Sequence, residues 1–250
     1  MSRYNKNIIN LTTAQLFKAR IHLGHKNNKL NIKMLPYLFG SRHDINIFNL
    51  EKVLICLRIT FKAISEIVKQ RGYFFLIGTN SNLPMIELFY YFFLKYSKLN
   101  INEKNFFITG FVGSKWVGGN FTNWKGTFQF IDHINQSPKK NSTRYKKYLM
   151  NLQGLGKVKN KPIPDFVFLF NNDSIALNEI NKLNIPIMGI TDSNADPSNY
   201  LYQLPGNDDS LESMQFFCNF LEKAIQEGKQ KDQERFFMFC LKKLKIYINN

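Results

Sequence analysis

The sequence lacks the parts from which a disulfide framework or a zinc cluster is built. Its cysteines are Cys56, Cys218 and Cys240, odd in number and far apart, with no C-x-x-C pair. They read as reduced core thiols. Acidic residues are also few, 18 against 34 lysines and arginines, which leaves a net charge of +16 and a pI near 9.7. That balance favours a polyanionic partner, nucleic acid or an anionic membrane surface. No membrane span is present: the longest apolar run, around Leu83 to Leu94, is 12 residues and contains Glu87, whereas crossing a bilayer takes about 20. Alanine is scarce at 6 residues, while asparagine (30) and lysine (27, against 7 arginines) are abundant. An A/T-rich coding sequence has this bias, and organelle genomes are the usual source. The start, Met1-Ser2-Arg3-Tyr4-Asn5-Lys6, has neither an apolar signal core nor an Arg/Ser-rich transit character. Synthesis inside an organelle is therefore the expectation.

Nucleotide-binding motifs are missing too. Gly113 and Gly118 have the spacing of a phosphate-binding loop, but Gly119 stands where its lysine is needed, and nothing reads G-x-G-x-x-G between a strand and a helix. No histidine or serine in a recognisable nucleophile setting accompanies the carboxylates, which argues against hydrolysis. A nucleotide-using enzyme on a Rossmann-like sheet is nevertheless the competing functional class.

What the chain does have is 44% apolar and 15% aromatic residues, enough for a real core over 250 residues. Strand and helix patterns alternate. Thr12 or Thr13 caps a short helix with Leu16, Phe17 and Arg20 that ends near Gly24, and residues 22 to 42 read as a polar, cationic loop. Asp44 to Asn49 is a strand. Leu50, Val53, Leu54, Leu57, Phe61, Ile64 and Val68 set a helix over 50 to 70. Strand Tyr73 to Ile77 is followed by a helix capped at Asn82 with Pro84 in its first turn, then by strand 106 to 109. Thr122 caps a helix to about Asn135. Further strands are expected at 165 to 170, 186 to 191 and 200 to 204, with helices at Asp173 to Leu183 and at 210 to 227, the latter capped by Asp208 or Asp209. The tail 229 to 250 reads as a basic amphipathic extension that docks on a neighbour. This order predicts a doubly wound parallel sheet.

Charge is unevenly placed: residues 1 to 60 hold 10 Lys/Arg against 2 Asp/Glu, residues 121 to 164 hold 9 against 1, and residues 165 to 210 hold 1 against 7. Two basic regions and one acidic region suit a protein wedged between a nucleic acid and a basic partner. The loop Lys115-Trp116-Val117-Gly118-Gly119-Asn120-Phe121-Thr122-Asn123-Trp124-Lys125 holds both tryptophans, and joins a strand to a helix. Its tryptophans either stack on bases or pack in the core, and Lys115 and Lys125 suit phosphate contact. His22 and His25 are three apart, so they ligate a metal only if a third ligand arrives. RNA contact or local packing is the competing reading. Asp192, Asp196, Asp208 and Asp209 follow successive strands and can converge on a divalent ion, for which Asp192 and Asp208 are the candidates, or on a basic neighbour. Capping at Asp208 or Asp209 and an Asx turn at Asp196-Pro197 is the alternative.

These residues resemble a known family. The tryptophan loop looks like the W-x-G-G-x-x-T-N-W signature of small-subunit ribosomal protein two, bacterial type. In the same order come His22-Leu23-Gly24-His25, Asn31-Ile32-Lys33-Met34-x-Pro36-Tyr37-x-Phe39-Gly40, Asn49-Leu50-Glu51-Lys52, Ile185-Pro186 with Asp192-x-Asn194-x-Asp196-Pro197, and Leu204-Pro205-Gly206-Asn207-Asp208-Asp209. The set spans roughly residues 12 to 228. Leu30, Ile32, His43-Asp44 and Asn80 stand where the family usually has tryptophan, proline, Asn-Gly and a basic residue.

The resemblance implies a Rossmann-like (flavodoxin-like) α/β fold over 1 to 228, with an RNA-binding segment at 1 to 43 and a shortened basic helical hairpin at about 125 to 163. It implies a structural, non-catalytic component of the small ribosomal subunit, present as a single copy and not as a homo-oligomer. Small-subunit ribosomal RNA and neighbouring ribosomal proteins are the expected partners. No cofactor is expected beyond structural Mg²⁺ accompanying the RNA. With the A/T-type composition and the drift from the signature, a mitochondrial member is expected, a plastid one being the second choice. Expected RNA contacts are Arg20, His22, His25, Lys26, Lys29, Lys33, Arg42, Lys115, Trp116, Lys125, Lys139, Lys140, Arg144, Lys146 and Lys147. Expected contacts to protein neighbours are Asp192, Asp196, Asp208 and Asp209.

Overall fold

The computed structural model describes residues 11–79, 88, 91, 108–112, 115–136 and 163–248. The helix expected from Asn82 and the basic segment 139 to 161 lie outside them, apart from Leu88 and Tyr91, which are helical.

Four short runs of bulky residues, Phe74–Ile77 (β4), Phe166–Leu169 (β6), Ile187–Thr191 (β7) and Tyr202–Pro205 (β8), join Ile108–Val112 (β5) in one parallel sheet. The first three are buried throughout, as strands covered on both faces must be. The strand order is β5-β4-β6-β7-β8, the flavodoxin-like 2-1-3-4-5 arrangement counted within this sheet. Alternation along each strand divides the core. Phe74, Leu76, Phe166, Phe168, Met188, Ile190 and Leu204 face one side, under helices Leu50–Lys69 (α2) and Leu211–Ile248. Phe75, Ile77, Val167, Leu169 and Ile187 face the other, under helices Trp124–Gln136 (α3) and Ser174–Lys182 (α4) and the tryptophan loop. The expected doubly wound sheet is therefore the observed one.

The helix from Leu211, α5, differs from its reading as two pieces. It runs unbroken to Ile248, about 57 Å at 1.5 Å per residue. Gly228, the position between the expected helix and tail, is a crossing point: a Cβ there would come within 2.6 Å of Ser65 O and of Val68 Cβ on α2. Arg71 Nε donates to Asp232 Oδ2 (3.1 Å) across the same contact. The helix is capped by neither aspartate. Ser210 Oγ accepts from Ser213 N (3.2 Å), while Asn207 Oδ1 accepts from Asp209 N (2.8 Å) and Ser210 N (3.2 Å).

The N-terminal part also departs from expectation. Thr12 and Gln15 form a reciprocal capping box for α1, Thr13–Lys18, so that helix stops well before Gly24. What reads as a polar loop contains two strands, Leu23–Lys26 (β1) and Leu38–Arg42 (β2), that flank Ile45–Phe48 (β3) in an antiparallel sheet ordered β1-β3-β2. These strands are four or five residues long and rich in Gly, Ser, His and Lys, so they carry no apolar alternation to reveal them. The β2–β3 turn is two residues, His43 (φ 49°) and Asp44 (φ 60°), between the paired Arg42 and Ile45. Positive φ at both positions is what such a hairpin requires, and why Asn-Gly is favoured there.

Candidate nucleic-acid interface

The small antiparallel sheet and the turns at its strand ends present Lys26, Lys29, Arg42 and His43 to solvent. Beside them Ile32 and Phe39 are 78% and 81% exposed, an unusual display for large apolar side chains so close together in sequence. The sheet is held down by its buried residues Asn46 and Phe48, and by Met34 in the helical turn before β2. Asn46 Nδ2 donates to His25 O (2.9 Å), and Asn31 N donates to Ser193 O (2.9 Å). Gln203 Nε2 also donates to the Tyr37 hydroxyl.

Several expected RNA contacts have partners within the protein. Lys33 Nζ lies 2.7 Å from Asp196 Oδ2 and donates to Ser198 Oγ (3.2 Å). Arg20 Nη1 lies 3.5 Å from Glu212 Oε1. Both pairs are exposed and weak enough to exchange for a phosphate. His22 stacks on Phe17 with ring centroids 4.2 Å apart and planes 10° apart, and burial holds its pKa below the ordinary value, favouring neutral imidazole. Lys115 and Lys125 are exposed. Lys139, Lys140, Arg144, Lys146 and Lys147 lie outside the described residues.

Trp116 is not an RNA platform. It is 1% exposed, edge-on to Phe75 and Phe121, and its Nε1–H donates to Glu179 Oε2 (2.8 Å). Glu179 organises the whole loop: it also accepts from Gly119 N (3.1 Å), Phe121 N (2.7 Å), Thr122 N (2.8 Å) and Thr122 Oγ1 (3.1 Å). Burial alone would raise this carboxyl, but the donated hydrogen bonds outweigh it and hold the pKa below its usual value. Thr122 is thereby occupied and does not cap α3, which begins at Trp124. Glu179 escaped the sequence reading, although one signal existed: it sits on the apolar face of α4, three residues after Ala176 and directly before Ile180, both buried.

The aspartates do converge, but not as an outward surface. Asp192 and Asp208 are buried, so neither can meet a neighbouring protein, while Asp209 remains exposed. His25 joins them: its Nδ1 lies 3.1 Å from Asp192 Oδ2 and its Nε2 lies 3.4 Å from Asp209 Oδ2. The Asp192 hydrogen bond raises the His25 pKa to about 9 against the opposing effect of burial. Burial, with the charges of Asp192 and Asp209, pushes Asp208 up to about 8. Ligand atoms of His25, Asp208 and Asp209 lie within 4.8 Å of one another, and Asp208 Oδ1 is buried with no hydrogen-bond partner among the described residues. One imidazole nitrogen and two carboxylates at this spacing suit a divalent cation. Asp196 instead caps the turn Pro197–Asn199 by accepting from Ser198 N (3.0 Å), the Asx turn read from Asp196-Pro197. Its pKa is held down at about 2, chiefly by Lys33.

Ligands of doubly wound sheets lie at the carboxyl ends of the strands, where the order reverses. That point falls between β4 and β6, and here Asn171 Nδ2 donates to Thr79 O (2.7 Å) and Thr79 Oγ1 (3.1 Å) across it. Among the described residues no helix is long and apolar enough to cross a membrane.

Comparison with known proteins fits this arrangement. A family model described as Ribosomal protein S2 matches residues 16–87 and 97–228. The small ribosomal subunit protein uS2 of Ehrlichia chaffeensis is 31% identical over 241 residues, covering 90% of this chain and 79% of that protein. Its namesake from Rhodospirillum centenum is 30% identical over 239 residues (88% and 86%), and that of Rickettsia akari 28% over 245 (91% and 79%). With the family matched over most of its length and relatives this similar across nearly all of it, the chain belongs to the ribosomal protein S2 family, whose members are structural parts of the small ribosomal subunit.

Proposed function

We propose that this chain is a structural constituent of the mitochondrial small ribosomal subunit, gripping ribosomal RNA through its cationic surfaces and performing no reaction. The observation that carries the RNA-binding part is the antiparallel sheet β1-β3-β2. It offers Lys26 and Arg42, with Lys29 in the turn after β1, on a scaffold fixed to the main sheet, an arrangement suited to phosphate and sugar oxygens. The charge of +16 and the lysine-rich stretch from Lys139 to Lys161 support the same reading. The Asn- and Lys-rich, Ala-poor composition supports the mitochondrial assignment, with a plastid as second choice.

The cation pocket of His25, Asp208 and Asp209 belongs to this proposal as a structural site that ties the small sheet to the β8–α5 loop. Asp209 and Asp196, which reach solvent, are the acidic groups left to meet protein neighbours.

Epitope-tagged chain should co-sediment with mitochondrial small subunits in moderate salt and crosslink to their RNA under ultraviolet light. Replacing Lys139, Lys140, Lys146 and Lys147 together by alanine should weaken RNA association and flatten its salt dependence. Absence of the tagged chain from purified mitochondrial ribosomes ends the mitochondrial reading, and an unchanged salt slope removes that segment from the interface.

A further inference from the structure

We propose that Phe39 is a stacking platform for one unpaired base of the ribosomal RNA, with Lys26 and Arg42 on the same small sheet to hold the strand's phosphates. The inference rests on the RNA-binding reading above and narrows it to a single contact.

The strand register sets the geometry. Leu38 pairs with Phe48 and Gly40 with Ile47, so β2 takes two steps where β3 takes one, and Phe39 is left out of the ladder. A bulge of this kind re-aims a side chain. Phe48 is buried and Leu38 packs against the same core, whereas Phe39 is 81% exposed and makes no ring contact among the described residues. The chain is nonetheless fixed just ahead of it: Asn49 N donates to Tyr37 O (2.9 Å), and Lys52 Nζ donates to Pro36 O. Phe39 is thus a ring held out on anchored backbone. Gly40 leaves the space beside it open, since a Cβ there would meet no atom within 4 Å.

Directly paired residues share a face of a sheet. Lys26 and Arg42 both pair with Ile45, so the three form one row across β1, β3 and β2. All three are exposed, while Asn46, next along β3, is buried. The row therefore lies on the outward face, with its two cations on strands about 10 Å apart. Lys26 and Arg42 make no ion pair or side-chain hydrogen bond among the described residues, and the one carboxylate between Leu23 and Phe48 in sequence is Asp44.

An exposed aromatic ring beside unpaired cations is the make-up of a single-strand binding surface, where charge tracks the backbone and the ring takes a base. Bases within a duplex are covered on both faces, so the partner is an unpaired one. A neighbouring protein is the other occupant for an exposed phenylalanine. Lysine, however, is depleted at the centres of protein interfaces, and the free cations here favour RNA.

The test uses the full chain and transcribed small-subunit ribosomal RNA, with affinity read by filter binding and folding by the thermal midpoint. Because Phe39 is exposed, replacing it should leave the midpoint unchanged. Phe39→Ala and Phe39→Leu should each weaken binding about tenfold, whereas Phe39→Trp should hold it. Benzoylphenylalanine at position 39 should crosslink to an unpaired nucleotide. Full affinity in Phe39→Ala or Phe39→Leu, or a crosslink from position 39 to a protein in the assembled particle in place of RNA, overturns this inference alone. A wild-type chain that binds no ribosomal RNA overturns the RNA-binding reading and this contact with it.

Discussion

Glu179 and the Asp192–Asp208 pair, with the exposed Asp209 beside it, are both carboxylate sites at loops around the same sheet, and they are supplied in opposite ways. Glu179 has five donors for one carboxylate, all within the protein. The three aspartates share one imidazole and two backbone N–H groups, those of Ser193 and Asp208, both of which go to Asp192, and a buried oxygen of Asp208 has no donor among the described residues. A saturated carboxylate is a fastener and needs nothing further. An undersupplied one invites a proton or a cation. The first site accordingly fixes the signature loop, whereas the second couples the N-terminal sheet to solution conditions.

Four measurements would break or sharpen this contrast. The largest effect is expected from Glu179→Ala, which strands an indole N–H and three backbone N–H groups. It should cost about 3–5 kcal/mol in urea unfolding, and a loss under 1 kcal/mol would remove Glu179 from its organising role. Zn²⁺ or Mg²⁺ at a hundredfold excess over its dissociation constant should add about 2.7 kcal/mol of stability to the wild type and nothing to His25→Ala. Equal stabilisation of both proteins would place the ion elsewhere.

The third measurement is the pH profile, which should carry opposite signs at the two sites. Glu179 has a depressed pKa, so its contribution is present above the ordinary carboxyl value of about 4.3 and is lost as pH falls through the folded one. His25 is raised to about 9 and Asp208 to about 8, so the folded state holds extra protons there. With a chelator present, stability should fall by about 1–2 kcal/mol between pH 6.5 and 9. Asp208→Asn should flatten that slope and leave the acid limb intact. A profile that rises over this range in the wild type would contradict the arrangement.

The smallest effect belongs to the hairpin tip, whose side chains touch neither carboxylate site. His43→Asn with Asp44→Gly relieves two positive-φ positions and should stabilise the protein by about 0.5–1 kcal/mol without altering the pH profile. Any change in that profile would show that the hairpin and the His25 site are not independent.

The sheet and its covering helices were legible because their signals are local. Val53, Leu57, Phe61, Ile64 and Val68 recur at helical spacing and all face the core, and the buried strands are unbroken apolar runs. The antiparallel sheet was not legible, because Leu23–Lys26 and Leu38–Arg42 gain their strand character only by pairing with Ile45–Phe48. A glycine at a helix crossing, such as Gly228, gives no sign in one dimension that the helix continues through it. The aspartates were legible as a meeting of loops, but their direction was not: Asp192 turns inward to His25, far away in the chain, and Asp208 is buried near it. The tryptophan loop was expected to be central, and it is, yet the residue that makes it so lies on another helix.

Trp116 and Glu179 are 63 positions apart, and their bond closes a ring of chain that encloses the whole basic stretch. During synthesis the signature loop cannot settle until residue 179 has left the ribosome making it, so the lysines of that stretch emerge before their platform exists. The clasp therefore sets an order of events: the chain must be made past α4 before the loop surface can form.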